Sequence, residues 1–110
     1  MSSSVNFEIG QGSTFLRTMT VVDNEKTPLD LTNYTLEGQL RKNYNSDEFI
    51  AFDIVKINAV SGRITIGLSD TITDTLIFPK YVYDIELTSG DSTKSRILEG
   101  SITVSPNVTR

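Results

Sequence analysis

A chain of 110 residues has room for one domain and one core, and a formal net charge of −4 argues against a phosphate-backbone partner, because counterion release needs clustered Lys and Arg. His and Cys are both absent, which excludes Ser-His-Asp and Cys-His nucleophiles, thiolate or imidazole zinc sites, His or Cys haem ligation and disulfides. No apolar run approaches the roughly 20 residues that cross a bilayer, and Met1-Ser2-Ser3-Ser4 lacks the charged and apolar regions of a leader, so the expectation is a soluble product made in the cytosol, with no membrane partner.

Val5-Asn6-Phe7-Glu8-Ile9 alternates apolar with polar and is closed by Gly10-Gln11-Gly12, which predicts a first strand at a sheet edge. Residues 13–22 predict a second, with Phe15, Met19 and Val21 on one face and Thr14, Thr18 and Thr20 on the other. Arg17 interrupts the apolar face. It reads as an edge position whose stem packs while its head reaches water or a carboxylate, with a ligand-binding or partner-binding Arg as the alternative. Asp23-Asn24-Glu25-Lys26 is a turn, since Asp and Asn tolerate the left-handed conformation. Leu29 and Leu31 around Asp30 form a short anchor that pins a loop to the core.

The clearest strand is the third. Tyr34, Leu36, Gly38 and Leu40 alternate with Thr35, Glu37, Gln39 and Arg41, the period of a sheet with one buried and one wet face. The polar residues 42–48 predict an exposed loop. A fourth strand is expected over residues 49–57, with Ile50, Phe52 and Ile54 on one face and further apolar residues on the other. After Ser61-Gly62, the alternation of Ile64, Ile66 and Leu68 predicts a fifth. Residues 69–76 are the one helical candidate, capped by Ser69, with Ile72 and Leu76 on a common face. Residues 81–88 predict the sixth strand and 95–104 the seventh, with Gly100 as a bulge and Pro106 as a stop.

Short strands with turns every 8 to 12 residues predict an all-β fold: a two-sheet antiparallel immunoglobulin-like sandwich of about seven strands with one short helical turn. A partly open barrel is the other topology that fits. The expected boundaries are a flexible N-terminal arm over 1–4, the sandwich over 5–105 and a C-terminal tail over 106–110.

With His and Cys absent, enzymatic chemistry would fall to carboxylates. Asp84 and Glu86 lie two apart on one strand face, and Glu37 and Arg41 join them on one outer surface if the third and sixth strands pair; the expectation is a solvated face with cross-strand ion pairs. Asp70 with Asp74, or Asp23, Asn24 and Glu25, could offer oxygen ligands to calcium, but lack EF-hand spacing and read as caps and turns. Neither a catalytic residue nor a cofactor or metal site is expected. Asn33-Tyr34-Thr35 and Asn107-Val108-Thr109 match the glycosylation sequon only in form.

Taken in order, Gly12-Ser13-Thr14-Phe15, Pro28-Leu29-Asp30-Leu31-Thr32-Asn33-Tyr34, Ser61-Gly62-Arg63-Ile64-Thr65-Ile66 and Leu98-Glu99-Gly100-Ser101-Ile102-Thr103-Val104-Ser105-Pro106 resemble small structural proteins of tailed bacteriophages. The nearest resemblance is to the N-terminal immunoglobulin-like domain of phage baseplate upper proteins. That resemblance implies a non-enzymatic virion component, in baseplate, tail or neck, made in the host cytoplasm and acting through contacts with other virion proteins in a symmetric oligomer. Alternatives are a head decoration protein and a carbohydrate- or calcium-binding sandwich module. In the virion reading the tail crosses to a neighbour, Val108 as an apolar anchor and Arg110 as a polar clamp, and Arg17 is a further candidate contact.

Overall fold

The computed structural model describes residues 3–106. Among them are nine strands and one helical turn: β1 (Ser3–Ser4), β2 (Phe7–Gly10), β3 (Phe15–Thr20), β4 (Thr35–Arg41), β5 (Ile50–Ala51), β6 (Asp53–Asn58), β7 (Arg63–Leu68), α1 (Asp70–Thr73), β8 (Lys80–Thr88) and β9 (Lys94–Ser105). One sheet runs β1-β9-β8-β4-β5, with β2 also on β9, and the other runs β3-β7-β6. This is the immunoglobulin-like sandwich. β3, β7 and β6 take the B, E and D places, while β4, β8 and β9 take C, F and G, with β5 added beside C. Six of the seven strands expected from the alternation occur as single strands, the fourth is divided, and β1 is an additional two-residue piece.

The departures from expectation have local causes. Every pairing is antiparallel except that of β1 and β2, which run parallel to β9, Ser3 opposite Leu98 and Phe7 opposite Ile102. Ser3 and Ser4, expected in a loose arm, are therefore strand. The bulge expected at Gly100 lies instead between Ile85 and Glu86, which pair with Leu98 and Arg96 and leave Ile97 as the extra residue. Gly100 stays in register opposite Tyr83. It is a glycine because the Val5 backbone presses on it: a Cβ there would stand 2.0 Å from the Val5 carbonyl oxygen.

The fourth expected strand is two strands in different sheets. β5 pairs with β4 and β6 pairs with β7, and the crossing falls at buried Phe52, whose N–H donates to the Gly38 carbonyl at 2.8 Å. Such a crossing is how sandwiches turn a corner. In the turn after β3, the left-handed residue is Lys26 and not Asp23 or Asn24; Asp23 instead holds the turn by accepting from the Glu25 and Thr27 N–H groups. The helical segment is one turn, capped by Ser69 as expected. Its buried side is Thr73 with Leu76, not Ile72 with Leu76, because the Thr73 hydroxyl donates to the Ser13 carbonyl at 2.8 Å and draws that face inward.

Between the sheets the apolar faces mesh. Phe7, Phe15, Phe52 and Tyr83 form a closed circuit of ring contacts, with centroids 5.4 to 6.4 Å apart. Gly38 makes room for it, since a Cβ there would lie 3.0 Å from the Phe52 ring and 3.1 Å from Ile85. Ile64 is fully enclosed, whereas Leu36 on the expected core face of β4 is half-buried against the cluster. Ile64→Ala is expected to cost about 2 to 5 kcal/mol and Leu36→Ala about half as much. Gly38→Ala is expected to cost about 1 to 3 kcal/mol by overpacking. Urea unfolding measures all three, and a loss at Leu36 equal to that at Ile64 would contradict this packing.

Candidate interaction surface

The outer face of the larger sheet carries the carboxylates. β4 and β8 do pair, so Glu37, Gln39 and Arg41 share a surface with Asp84 and Glu86 as expected. The register sets Glu37 directly opposite Glu86, and Asp84 opposite Glu99. Arg96 is the charge that knits this face, with Nε 3.4 Å from Asp84 and Nη1 3.4 Å from Glu99. These are exposed pairs, so they set the pattern of the face more than its stability. Among the described residues no three acidic side chains converge as a metal site would require.

Of the acids expected as turn or cap formers, Asp23 and Asp70 serve that way, and Asp30 and Asp91 do the same in their own turns. The Asp70 carboxylate accepts from the Thr71 N–H at 2.8 Å. Asp30 accepts from the Thr32 hydroxyl and N–H, which holds its carboxyl below the usual range. Asp91, in the β8–β9 hairpin, is lowered by the Ser89 hydroxyl first and then by Thr93.

Arg17 is an edge residue, as its place in an apolar face suggests. β3 borders the smaller sheet and Arg17 occupies an inward position opposite Ile66. Its guanidinium carbon stands over the Phe15 ring, 4.8 Å from the centroid, and Nη1 donates to the Leu16 carbonyl at 2.9 Å. The head thus meets a ring and a backbone oxygen, and no carboxylate among the described residues. The opposite edge repeats the device. Lys56, in register with the inward Ile64, donates to the Leu31 carbonyl at 2.9 Å and to that of Tyr34. Val108 and Arg110 lie outside the described residues.

The surface that sequence reasoning missed is at one end of the sandwich, between residues 42–49 and 75–79. A cleft of about 600 Å³ opens there, lined by Arg41, Lys42, Phe49, Ile77, Phe78 and Tyr81 among others. Arg41 stands 5.4 Å from the Phe49 centroid and donates to the Ser46 carbonyl at 2.5 Å and to Gln39 Oε1 at 3.0 Å. Lys42 stands 5.0 Å from the Phe78 centroid, and the Phe78 N–H donates to the Tyr81 hydroxyl at 3.3 Å. Ile77 is 74% exposed, and Tyr44, 76% exposed, lines an adjoining hollow on which Arg41 also borders. The available signal was that Tyr44, Ile77 and Phe78 are large side chains outside the strand alternation, and that Phe49 opens the expected fourth strand on the face away from Ile50, Phe52 and Ile54. Exposed aromatics interleaved with Arg are the composition of interface centres.

One residue with a displaced pKa is structural. Tyr83 is 4% exposed, and burial pushes its phenol up to about 12; its hydroxyl donates to the Val5 carbonyl at 2.6 Å. Compared with known protein-family models and with curated protein sequences, the chain matches none. No helix of the described residues is long and apolar enough to cross a membrane.

The phenol of an unfolded chain titrates near about 10, so the stability gained by keeping Tyr83 protonated is fully present below that pH and is lost as pH rises toward 12. Tyr83→Phe is expected to cost about 1 kcal/mol at neutral pH through the lost hydrogen bond. The gap to the parent should narrow in urea melts above about pH 10, and a constant gap would place the phenol in water. Glu37→Lys replaces a like-charge cross-strand pair by an opposite-charge pair and is expected to raise stability by about 0.5 kcal/mol. A loss measured in the same melts would show that Glu37 and Glu86 do not face each other.

Proposed function

We propose that this chain is a non-enzymatic structural component of a tailed-phage virion, a baseplate, tail or neck part that works by protein–protein contact. The observation that carries the reading is the end cleft, where Phe49, Ile77 and Phe78 are left exposed with Arg41 and Lys42 beside their rings. Large exposed apolar side chains gathered at one place mark a contact site. The ordered likeness of the strand-entry motifs to phage baseplate proteins supports the class of partner. Three of the candidate carboxylates have structural partners that support it too: Asp23 holds a turn, Asp70 accepts from the Thr71 N–H and Asp84 pairs with Arg96.

In this reading the cleft meets a neighbouring virion protein, and Val108 and Arg110 make the second contact. They follow Pro106, which borders a hollow shared with Ile77 and Phe78. The paired substitution Phe49→Ala with Phe78→Ala is expected to shift the melting temperature by only a few degrees, because both side chains are substantially exposed, while sharply reducing incorporation into particles. Deleting residues 107–110 is expected to do the same. Mass spectrometry of purified virions reads the outcome; absence of the parent chain from them, or full incorporation of both variants, overturns the reading.

A further inference from the structure

The sheet edges among the described residues are finished differently. The β1–β2 edge is broken at Val5 and Asn6. β5 is two residues long, and the chain then leaves β4 at Phe52, beside Gly38 in the middle of that strand. β6 loses register between Lys56 and Asn58, and Lys56 folds over its end. Those are the usual ways of blunting an edge. β3 keeps six residues in unbroken register with β7 and contains neither proline nor bulge. Its one guarding charge, Arg17, leans toward its own Phe15 ring and engages one edge carbonyl, that of Leu16, leaving the rest of the strand uncovered.

The direction of its free backbone groups follows from the ladder. The Val21 N–H donates to the Gly62 carbonyl at 2.8 Å, in the same register that pairs Met19 with Ile64 and Arg17 with Ile66. Hydrogen-bonded pairs alternate along an antiparallel ladder, so residues 15, 17 and 19 bond to β7. Leu16, Thr18 and Thr20 therefore turn their N–H and C=O groups to the open side. The Leu16 carbonyl lies on that side, where Arg17 Nη1 donates to it at 2.9 Å; its second lone pair is the acceptor left for a pairing strand.

We propose that this edge pairs with the same edge of a second copy, antiparallel about a two-fold axis through Thr18. The outward residues are then self-complementary. Thr18 faces Thr18 of the second copy and Leu16 faces its Thr20, with two backbone hydrogen bonds at each facing pair. Leu16, 58% exposed, gains cover from that threonine. Arg17 faces Met19 of the second copy, and because each guanidinium leans toward its own Phe15, the two lean away from the axis in opposite directions. The two three-stranded sheets become one of six strands. A two-fold contact uses one patch twice and closes on itself.

The test needs only the purified full chain, so its failure and that of the virion reading are separate results. Sedimentation equilibrium from roughly 10 µM to roughly 1 mM covers the range expected of a contact this small. The average mass is expected to rise from monomer toward dimer, with hydrogen exchange at the Leu16, Thr18 and Thr20 amides slowing in step. Thr18→Pro removes an N–H that β7 does not use and fits an edge strand; it is expected to stay monomeric with a melting temperature within a few degrees of the parent. Thr18→Lys, which sets two ammonium groups face to face at the axis, keeps the test decisive if the proline variant fails to fold, and is expected to weaken pairing at least roughly tenfold. A parent that is monomeric at every concentration, a dimer that survives Thr18→Lys, or protection at other amides instead of these overturns the proposal.

Discussion

Tyr83 stands where the two sheets and the first strand meet, and its two ends do different work. The ring touches Phe7 of β2 and Phe52 at the corner between sheets, and those in turn touch Phe15 of β3. The hydroxyl reaches past the core to the Val5 carbonyl. Aromatic pairs add to simple burial only at particular angles and distances, so the circuit fixes how far apart the sheets lie and where the crossing at Phe52 falls. Gly38 is the concession that lets the rings close, and Gly100 is the matching concession on β9, where the Val5 backbone must approach.

Around that centre the smaller sheet is finished with cations. Arg17 and Lys56 both take inward positions on outer strands, where a full-length apolar side chain would lie partly in water. Their stems cover the margin of the core and their heads reach carbonyl oxygens or a ring. The larger sheet is finished by ion pairs on its outer face instead, with Arg96 between Asp84 and Glu99. The end cleft follows neither pattern. It leaves Ile77 and Phe78 exposed, with Lys42 beside the Phe78 ring and nothing among the described residues to cover them.

Much of the fold was legible because single strands obey a period of two. Tyr34 to Arg41 and Tyr81 to Thr88 came through with the right faces, and the Arg17 edge was legible because a charge within an apolar face needs a margin. Residues 49–57 misled because the period continues unbroken through Phe52 while the strand changes sheets; apolar residues on both faces were the trace of that change. Gly100 looked like a bulge because glycine often marks one, whereas the determinant was a backbone 95 positions away. Parallel pairing of the first and last strands has no local sign at all. The cleft was hidden for a related reason: residues 42–49 and 75–79 are unremarkable separately, and only the fold places Phe49 near Phe78.

The parallel ladder between the first and last strands also determines how the domain bears load. β1 and β2 run in the same direction as β9, with Ser3 beside Leu98 and Gly10 beside Ser105. A force drawing residue 3 and residue 105 apart acts along these strands and not across them. It strains the evenly spaced, slanted hydrogen bonds of the parallel ladder together, whereas a hairpin pulled from its open end parts one bond at a time. Tyr83 and Asn6, which clasp the same seam through Val5 and Ser101, add to the resistance. The domain is therefore stiff along the line joining its ends and weaker to a pull across it, the behaviour of a rivet in shear.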